Sequence, residues 1–249
     1  MSIQINNQQS AIGNRQFARG FSLTEVILAV GILAVGMLFI AGVFPVSIYF
    51  TMVATERTIA VTVADEAFAK IKLYGIYDPN VIYNAQTYYE KAAPVPISDA
   101  EFAYPSTPTA DPNSKRYWWS AICRKTDTNP LSRDVQVTVF VSRKVGTTTT
   151  YYGYDAGRPN AFYVPVTLSG SDLQVNVADK NKINDGYTIV DDATGQVYRV
   201  LERYGTNLDL LRLNETWQGG ATGDVWVVPP PVNGGRYPCI GVYQKVMRF

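Results

Sequence analysis

From Val26 to Phe50 the chain contains no charged residue, and its only interruptions are Gly31, Gly36, Gly42, Pro45 and Ser47. As a helix rising about 1.5 Å per residue the run spans roughly 37 Å, enough to cross a hydrocarbon layer of ~30 Å. A helix that is apolar on every side has no place on the surface of a small water-soluble domain. The run therefore reads as a membrane-directed segment. A single acid, Glu25, stands at its head, and a carboxylate there is costly unless it has a use.

Three kinds of segment share this outline. A cleavable secretory signal has a shorter apolar core, of about 7–15 residues, and a small-residue cleavage site behind it; no such site follows here. An ordinary signal anchor fits the run, and Arg15 and Arg19 before it favour a cytoplasmic N-terminus. That reading leaves Glu25 and the Gly20-Phe21 junction without a purpose. The third kind has a polar, cationic leader removed on the cytoplasmic side while the apolar run stays with the mature chain.

Gly20-Phe21-Ser22-Leu23-Thr24-Glu25-Val26 resembles the processing and N-methylation site of type IV pilins and of the pseudopilins of type II secretion. The resemblance implies a leader over residues 1–20, cleavage after Gly20 by a prepilin peptidase, and methylation of the new terminus, Phe21. It implies a long N-terminal helix over 21–75, with 26–50 in the inner membrane, and assembly with other pilin or pseudopilin subunits. Glu25 falls fifth in the mature chain. There it would meet the amine of a neighbouring subunit's first residue, a pair worth up to roughly 4 kcal/mol at an effective dielectric of ~20, before desolvation. Pro45 lacks an amide hydrogen and crowds the carbonyl of Ala41, so a kink is expected there. Many pilins carry a proline about one turn earlier, where this chain has Gly42. The resemblance covers residues 1–75 strongly and 117–145 loosely, and does not extend beyond.

Thr51 to Tyr74 contains neither proline nor glycine. Val53, Ala60, Ala64, Ala67, Phe68 and Ile71 recur at spacings of three, four or seven, the mark of one apolar helix face. Glu66 and Lys70 form a favourable i, i+4 pair. Gly75 and then Asp78-Pro79-Asn80 supply a stop. The expected fold class is α+β: a long N-terminal helix, half transmembrane and half amphipathic, packed on an antiparallel sheet.

Asp134 to Arg143 alternates, with Val135, Val137, Val139 and Val141 on one face. Tyr117 to Lys125 precedes it across the turn segment Thr126-Asp127-Thr128-Asn129-Pro130, which predicts an antiparallel hairpin. Residues 76–116 read as irregular, and Lys144 to Asn160 as a loop. Further strands are expected at 162–168, 173–177, 187–191, 197–202, 208–213, 225–228 and 240–248. The residues after Gly75 suffice for one core or for a core with a second module. The chain divides accordingly into a leader (1–20), the long helix (21–75), a pilin-like β domain (76–160) and an additional β-rich module (161–249).

The 249 residues include no histidine, which excludes Ser-His-Asp and Cys-His catalysis and the common His-based metal sites. Asp179 to Gly186 has a faint calcium-loop outline, but apolar Ile183 occupies a ligand position. No metal, cofactor, catalytic residue or small-molecule substrate is expected, and the chain is read as a non-enzyme. A net charge of +1, from 22 basic and 21 acidic residues, gives no clear nucleic-acid signal. Cys123 and Cys239 are the two cysteines. An oxidising compartment permits a disulfide between them; the alternative is two buried free thiols. Trp118, Trp119, Trp217 and Trp226 either fill the β core or line a binding surface.

The function expected is that of a structural subunit, a minor pilin or pseudopilin, of a type IV pilus or a type II secretion-like filament. Its body would be periplasmic or displayed on the filament. The alternatives are a pilus-borne module for adhesion or DNA uptake, and a surface protein merely anchored by a prepilin-type helix.

Overall fold

The computed structural model describes residues 20–74, 87–88, 99–106, 114–126, 129, 131–146, 150–153 and 157–249. The leader as far as Arg19, the Gly75 stop, Asp78-Pro79-Asn80, most of the irregular 76–116 segment and much of the Thr126–Pro130 turn lie outside the described residues. The fold is α+β: one long N-terminal helix and antiparallel sheets. The chain forms two compact units, Met1–Met52 and Val53–Phe249.

Helix α1 spans Leu23–Tyr74. Its start is set by Ser22, whose Oγ accepts the amide hydrogen of Glu25 at 3.2 Å. Ser22 thus stands at the N-cap and Glu25 at N3, and Glu25 places its charge in the first turn, where the helix dipole favours an anion. Ser-x-x-Glu is itself a helix-start signal that the motif reading passed over. Within the first unit every described residue from Gly20 to Met52 is exposed.

In the second unit the sheet contains β1 (Thr87–Tyr88), β2 (Ala103–Tyr104), β3 (Tyr117–Lys125), β4 (Asp134–Arg143) and β11 (Cys239–Arg248). Its order is β1-β3-β4-β11, with β2 also paired to β3. β4 is the centre, and its alternation sorts two environments. Val135, Val137, Val139 and Val141 are fully buried in one cluster with Ala60, Val63, Ala64, Ala67, Phe68 and Ile71 of α1. At ~1.5–3 kcal/mol per fully buried large apolar side chain, this cluster is the main local source of stability. The alanines at 60, 64 and 67 have little volume, which lets a helix backbone approach valines closely.

The other face of β4 carries Phe140, clustered with Ile122, Val190, Trp226, Val228 and Cys239. That partner is a closed six-stranded barrel of β5 (Phe162–Ser169), β6 (Asp172–Val175), β7 (Thr188–Asp191), β8 (Val197–Tyr204), β9 (Leu210–Leu213) and β10 (Thr222–Val227). Its order is β10-β5-β6-β9-β8-β7, and β7 closes on β10 through Val190 opposite Trp226. Closure removes the edge strands that an open sheet of this size would expose. Val164, Leu173, Ile189, Val200, Leu211 and Val225 are among the fully or nearly fully buried residues of the interior. Pro165 of β5 lies opposite Asp224 of β10, before β5 begins to pair with β6 at Val166, so its missing amide interrupts no β5–β6 ladder.

The 161–249 module read from the sequence contributes its last strand to the sheet rather than to the barrel. β11 runs antiparallel to β4 from Cys239 opposite Ser142 to Arg248 opposite Asp134, with a bulge at Ile240. The valine-rich β4 needs neighbours on both edges, and β11 supplies the second.

Candidate functional site

Gly20 and Phe21 precede the helix cap and are exposed, Phe21 at 80%. Glu25 lies one turn in. From Val26 to Phe50 large apolar side chains are exposed on every side of the helix, and this is the one described helix long and apolar enough to cross a membrane. Helix α1 is continuous through Pro45, whose ring deprives the Ala41 carbonyl of an i+4 donor.

The pair Glu66–Lys70 does more than the sequence showed. Lys70 is nearly buried, 8% exposed. Its Nζ meets Glu66 Oε1 at 2.9 Å and Glu101 Oε2 at 3.1 Å, and donates to the Glu101 carbonyl at 2.6 Å. Ser106 Oγ donates to Glu66 Oε1 at 2.6 Å. Burial pushes the Glu66 carboxyl up, but the hydrogen bonds from Ser106 and Lys70 and the charge of Lys70 outweigh it, so the group sits below its ordinary value. The i, i+4 pair is thus a half-buried clamp on the segment 101–106, with only Lys70 buried. Nothing in local periodicity announces a carboxylate arriving from residue 101.

Near the start of the second unit a cleft of about 240 Å³ is lined by Val53, Glu56, Arg57, Arg143, Arg236 and Cys239, among others. Glu56 pairs with Arg143, and Arg236 Nη2 stands 4.0 Å from Glu56 Oε2.

Cys123 and Cys239 are free and buried. The register explains why. Cys123 is opposite Val137 and Cys239 opposite Ser142, on opposite flanks of β4. Five residues at ~3.3 Å and two strand spacings of ~4.8 Å separate them, far beyond the ~7 Å that a disulfide tolerates between Cα atoms. Burial pushes the Cys123 thiol up to about 12 and the Cys239 thiol up to about 11. Both are therefore protonated and unreactive at neutral pH.

Asp191 and Asp192, at the β7–β8 turn, have separate duties. Asp191 is buried; its carboxylate accepts from Ala193 N at 3.2 Å, Thr194 N at 3.1 Å and Thr194 Oγ1 at 2.5 Å. Asp192 Oδ1 accepts from Trp226 Nε1 at 2.7 Å. Burial is the first cause of a raised Asp192 value, partly opposed by that hydrogen bond and reinforced by Asp224 and Asp191. The turn they build docks on the sheet. Arg124 donates to the carbonyls of Ala193, at 2.9 Å, and Thr194. Gln244 Nε2 donates to the Gly195 carbonyl at 2.6 Å. Gly195 has φ 72°, and a Cβ there would fall 2.6 Å from Gln136 Oε1; both the turn and the close approach require glycine.

Ile183 is fully buried in the barrel core, which accounts for an apolar residue in the calcium-like stretch; Asp179 binds Lys182 at 2.6 Å and Asp185 accepts the Arg203 amide. Among the described residues, no three Cys, Asp or Glu side chains gather to hold a metal ion. Trp118, Trp119, Trp217 and Trp226 are all buried, at 1–8% exposure, so the core accounts for them. No protein-family model, curated protein or solved structure matches the chain.

Proposed function

We propose that this chain is a structural subunit of a type IV pilin or pseudopilin filament, held in the inner membrane before assembly. The observation that carries the proposal is the surface of α1. From Val26 to Phe50 its apolar side chains are exposed all round, with Glu25 as the single charge at its head. Exposed large side chains forfeit about 1.5–3 kcal/mol each relative to burial. Summed over this segment the deficit is on the order of tens of kcal/mol, so the helix must be covered by lipid or by other helices. In lipid no hydrophobic force draws helices together, so a polar contact is needed to set register. Glu25 supplies it: a carboxylate in the first turn, four residues behind the amine that cleavage after Gly20 would create on Phe21. Pairing Glu25 with the amine of an adjacent subunit satisfies both charges where water is scarce.

The mature N-terminus tests this. In cells with a prepilin peptidase, mass analysis of the membrane fraction is expected to find a chain beginning at methylated Phe21, and Glu25→Ala is expected to deplete the subunit from sheared filaments. An intact Met1 terminus in such cells, or undiminished incorporation of Glu25→Ala, would overturn the proposal.

A further inference from the structure

A second site lies away from α1. A cavity of about 400 Å³ opens between the loop after β6 and the loop after β10, lined by Tyr152, Asn181, Asn184, Pro230, Pro231 and Asn233, with Val232 and two glycines. We propose that this cavity binds an uncharged saccharide.

The lining carries no Asp, Glu, Lys or Arg. An ionised ligand would enter without a counter-charge, and a metal ion without a carboxylate. What the lining offers is amides. Asn181 and Asn233 are exposed, and their side chains make no hydrogen bond within the described residues. Asn184 commits one donor, to Tyr187 Oη at 3.3 Å. An amide presents donors and an acceptor side by side. A ligand hydroxyl is likewise donor and acceptor at once, so adjacent hydroxyls on a sugar ring match such groups better than a carboxylate or an ammonium does.

The walls are fixed before any ligand arrives. Pro229-Pro230-Pro231 locks three consecutive φ angles. Val232 N donates to the Thr150 carbonyl at 2.7 Å, and Gly234 N to the Pro231 carbonyl at 2.8 Å. Gly234 and Gly235 have φ 80° and 146°, which turn the lip. Tyr152 has the Phe162 ring centroid at 6.4 Å from its own and Lys182 Nζ over its ring at 5.4 Å. Asp179 pairs with that lysine. The charge of Lys182 is therefore already neutralised beside the cavity, and the Tyr152 ring adds an aromatic group to the lining. The backbone around the cavity therefore loses little freedom on binding, and the main ordering cost falls on the Asn181 and Asn233 side chains. The volume lies toward the small end of the ~300–1,000 Å³ range of ligand sites, which suits one or two rings. A peptide would need a free strand edge or an apolar groove, and the closed barrel and amide lining supply neither.

The test uses the full chain in a detergent without a sugar headgroup, probed on an array of uncharged mono- to tetrasaccharides alongside acidic ones and a peptide set. The best hit is quantified by saturation-transfer NMR. An uncharged saccharide is expected to bind, and the double variant Asn181→Ala/Asn233→Ala to weaken it by about tenfold or more, the equivalent of roughly 1.4 kcal/mol. Neither asparagine makes a side-chain hydrogen bond among the described residues, so this variant is expected to melt as wild type. Tyr152→Leu is the second probe, expected to weaken the same saccharide. Silence of all uncharged saccharides, binding confined to acidic sugars or peptides, or affinity unchanged in both variants would each overturn the proposal. The readout does not depend on filament assembly, so failure here leaves the subunit role standing and the reverse also holds.

Discussion

Replacing Asp191 by alanine should loosen the barrel from the sheet that carries it. The carboxylate holds the β7–β8 turn through three hydrogen bonds, two of them to half-buried Thr194 and one to the amide of exposed Ala193. Water can replace the bond to Ala193. The Thr194 amide and hydroxyl are less accessible, and an orphaned buried donor costs about 1–3 kcal/mol. Arg124 and Gln244 meet the turn only while its carbonyls keep their places, and part of that docking goes with it. The expected loss is about 2–3 kcal/mol. For a body of this size each kcal/mol lowers Tm by roughly 2–4 °C, so near-UV circular dichroism should show a fall of about 5–10 °C. Asp192→Asn is the control. Asparagine still accepts from Trp226 Nε1, and burial already disfavours the charge of Asp192, so the shift should stay within about 2 °C. If the Asp191→Ala protein melts with wild type, or if both substitutions cost the same, the turn is not what holds the barrel to the sheet.

Three further outcomes follow from named contacts. Lys70→Met leaves Glu66 and Glu101 facing each other without their shared cation; because both carboxylates are about a third exposed, the expected destabilisation is about 1–3 kcal/mol in urea titration, and an unchanged midpoint would remove the clamp. Glu66 sits below its ordinary value of 4.5 when folded, so its contribution is present above that value and is lost as pH falls through the lower folded one; wild-type Tm should drop more steeply than that of Glu66→Gln between about pH 5 and about pH 3, and parallel curves would contradict the assignment. Gly195→Ala forces an L-residue to φ 72° and a Cβ onto the Gln136 amide, with an expected loss of about 2 kcal/mol; a neutral alanine would mean that the turn can shift freely.

Much of this protein was legible one residue at a time. The unbroken apolar run fixed the helix that must be covered, because 25 residues without a charge admit no other use in water. β4 was readable to the residue, since period-two alternation of valine has one structural meaning, and β3 followed from it as the apolar run across the turn segment. The strands from 162 onward were placed within a few residues by the same signal and by their turns. Ser22 and Glu25 carried a capping signal in plain view, beside the processing motif that drew attention first.

What periodicity cannot express is partnership. That β10 closes on β7, and that β11 leaves the second module to flank β4, are long-range pairings which alternating sequences allow but do not select. Two-residue strands such as β1 and β2 are too short to alternate at all. Cys123 and Cys239 looked equally fit for a bridge or for solitude until the register set them on opposite sides of β4. Lys70 showed only its i, i+4 partner Glu66 until Glu101 arrived from another segment. The polar cavity is assembled from residues at 152, 181–184 and 230–235 that share no local pattern. The sequence determines which surfaces each element must hide; only the folded chain decides against what, because burial is settled by whichever distant segment fills the space.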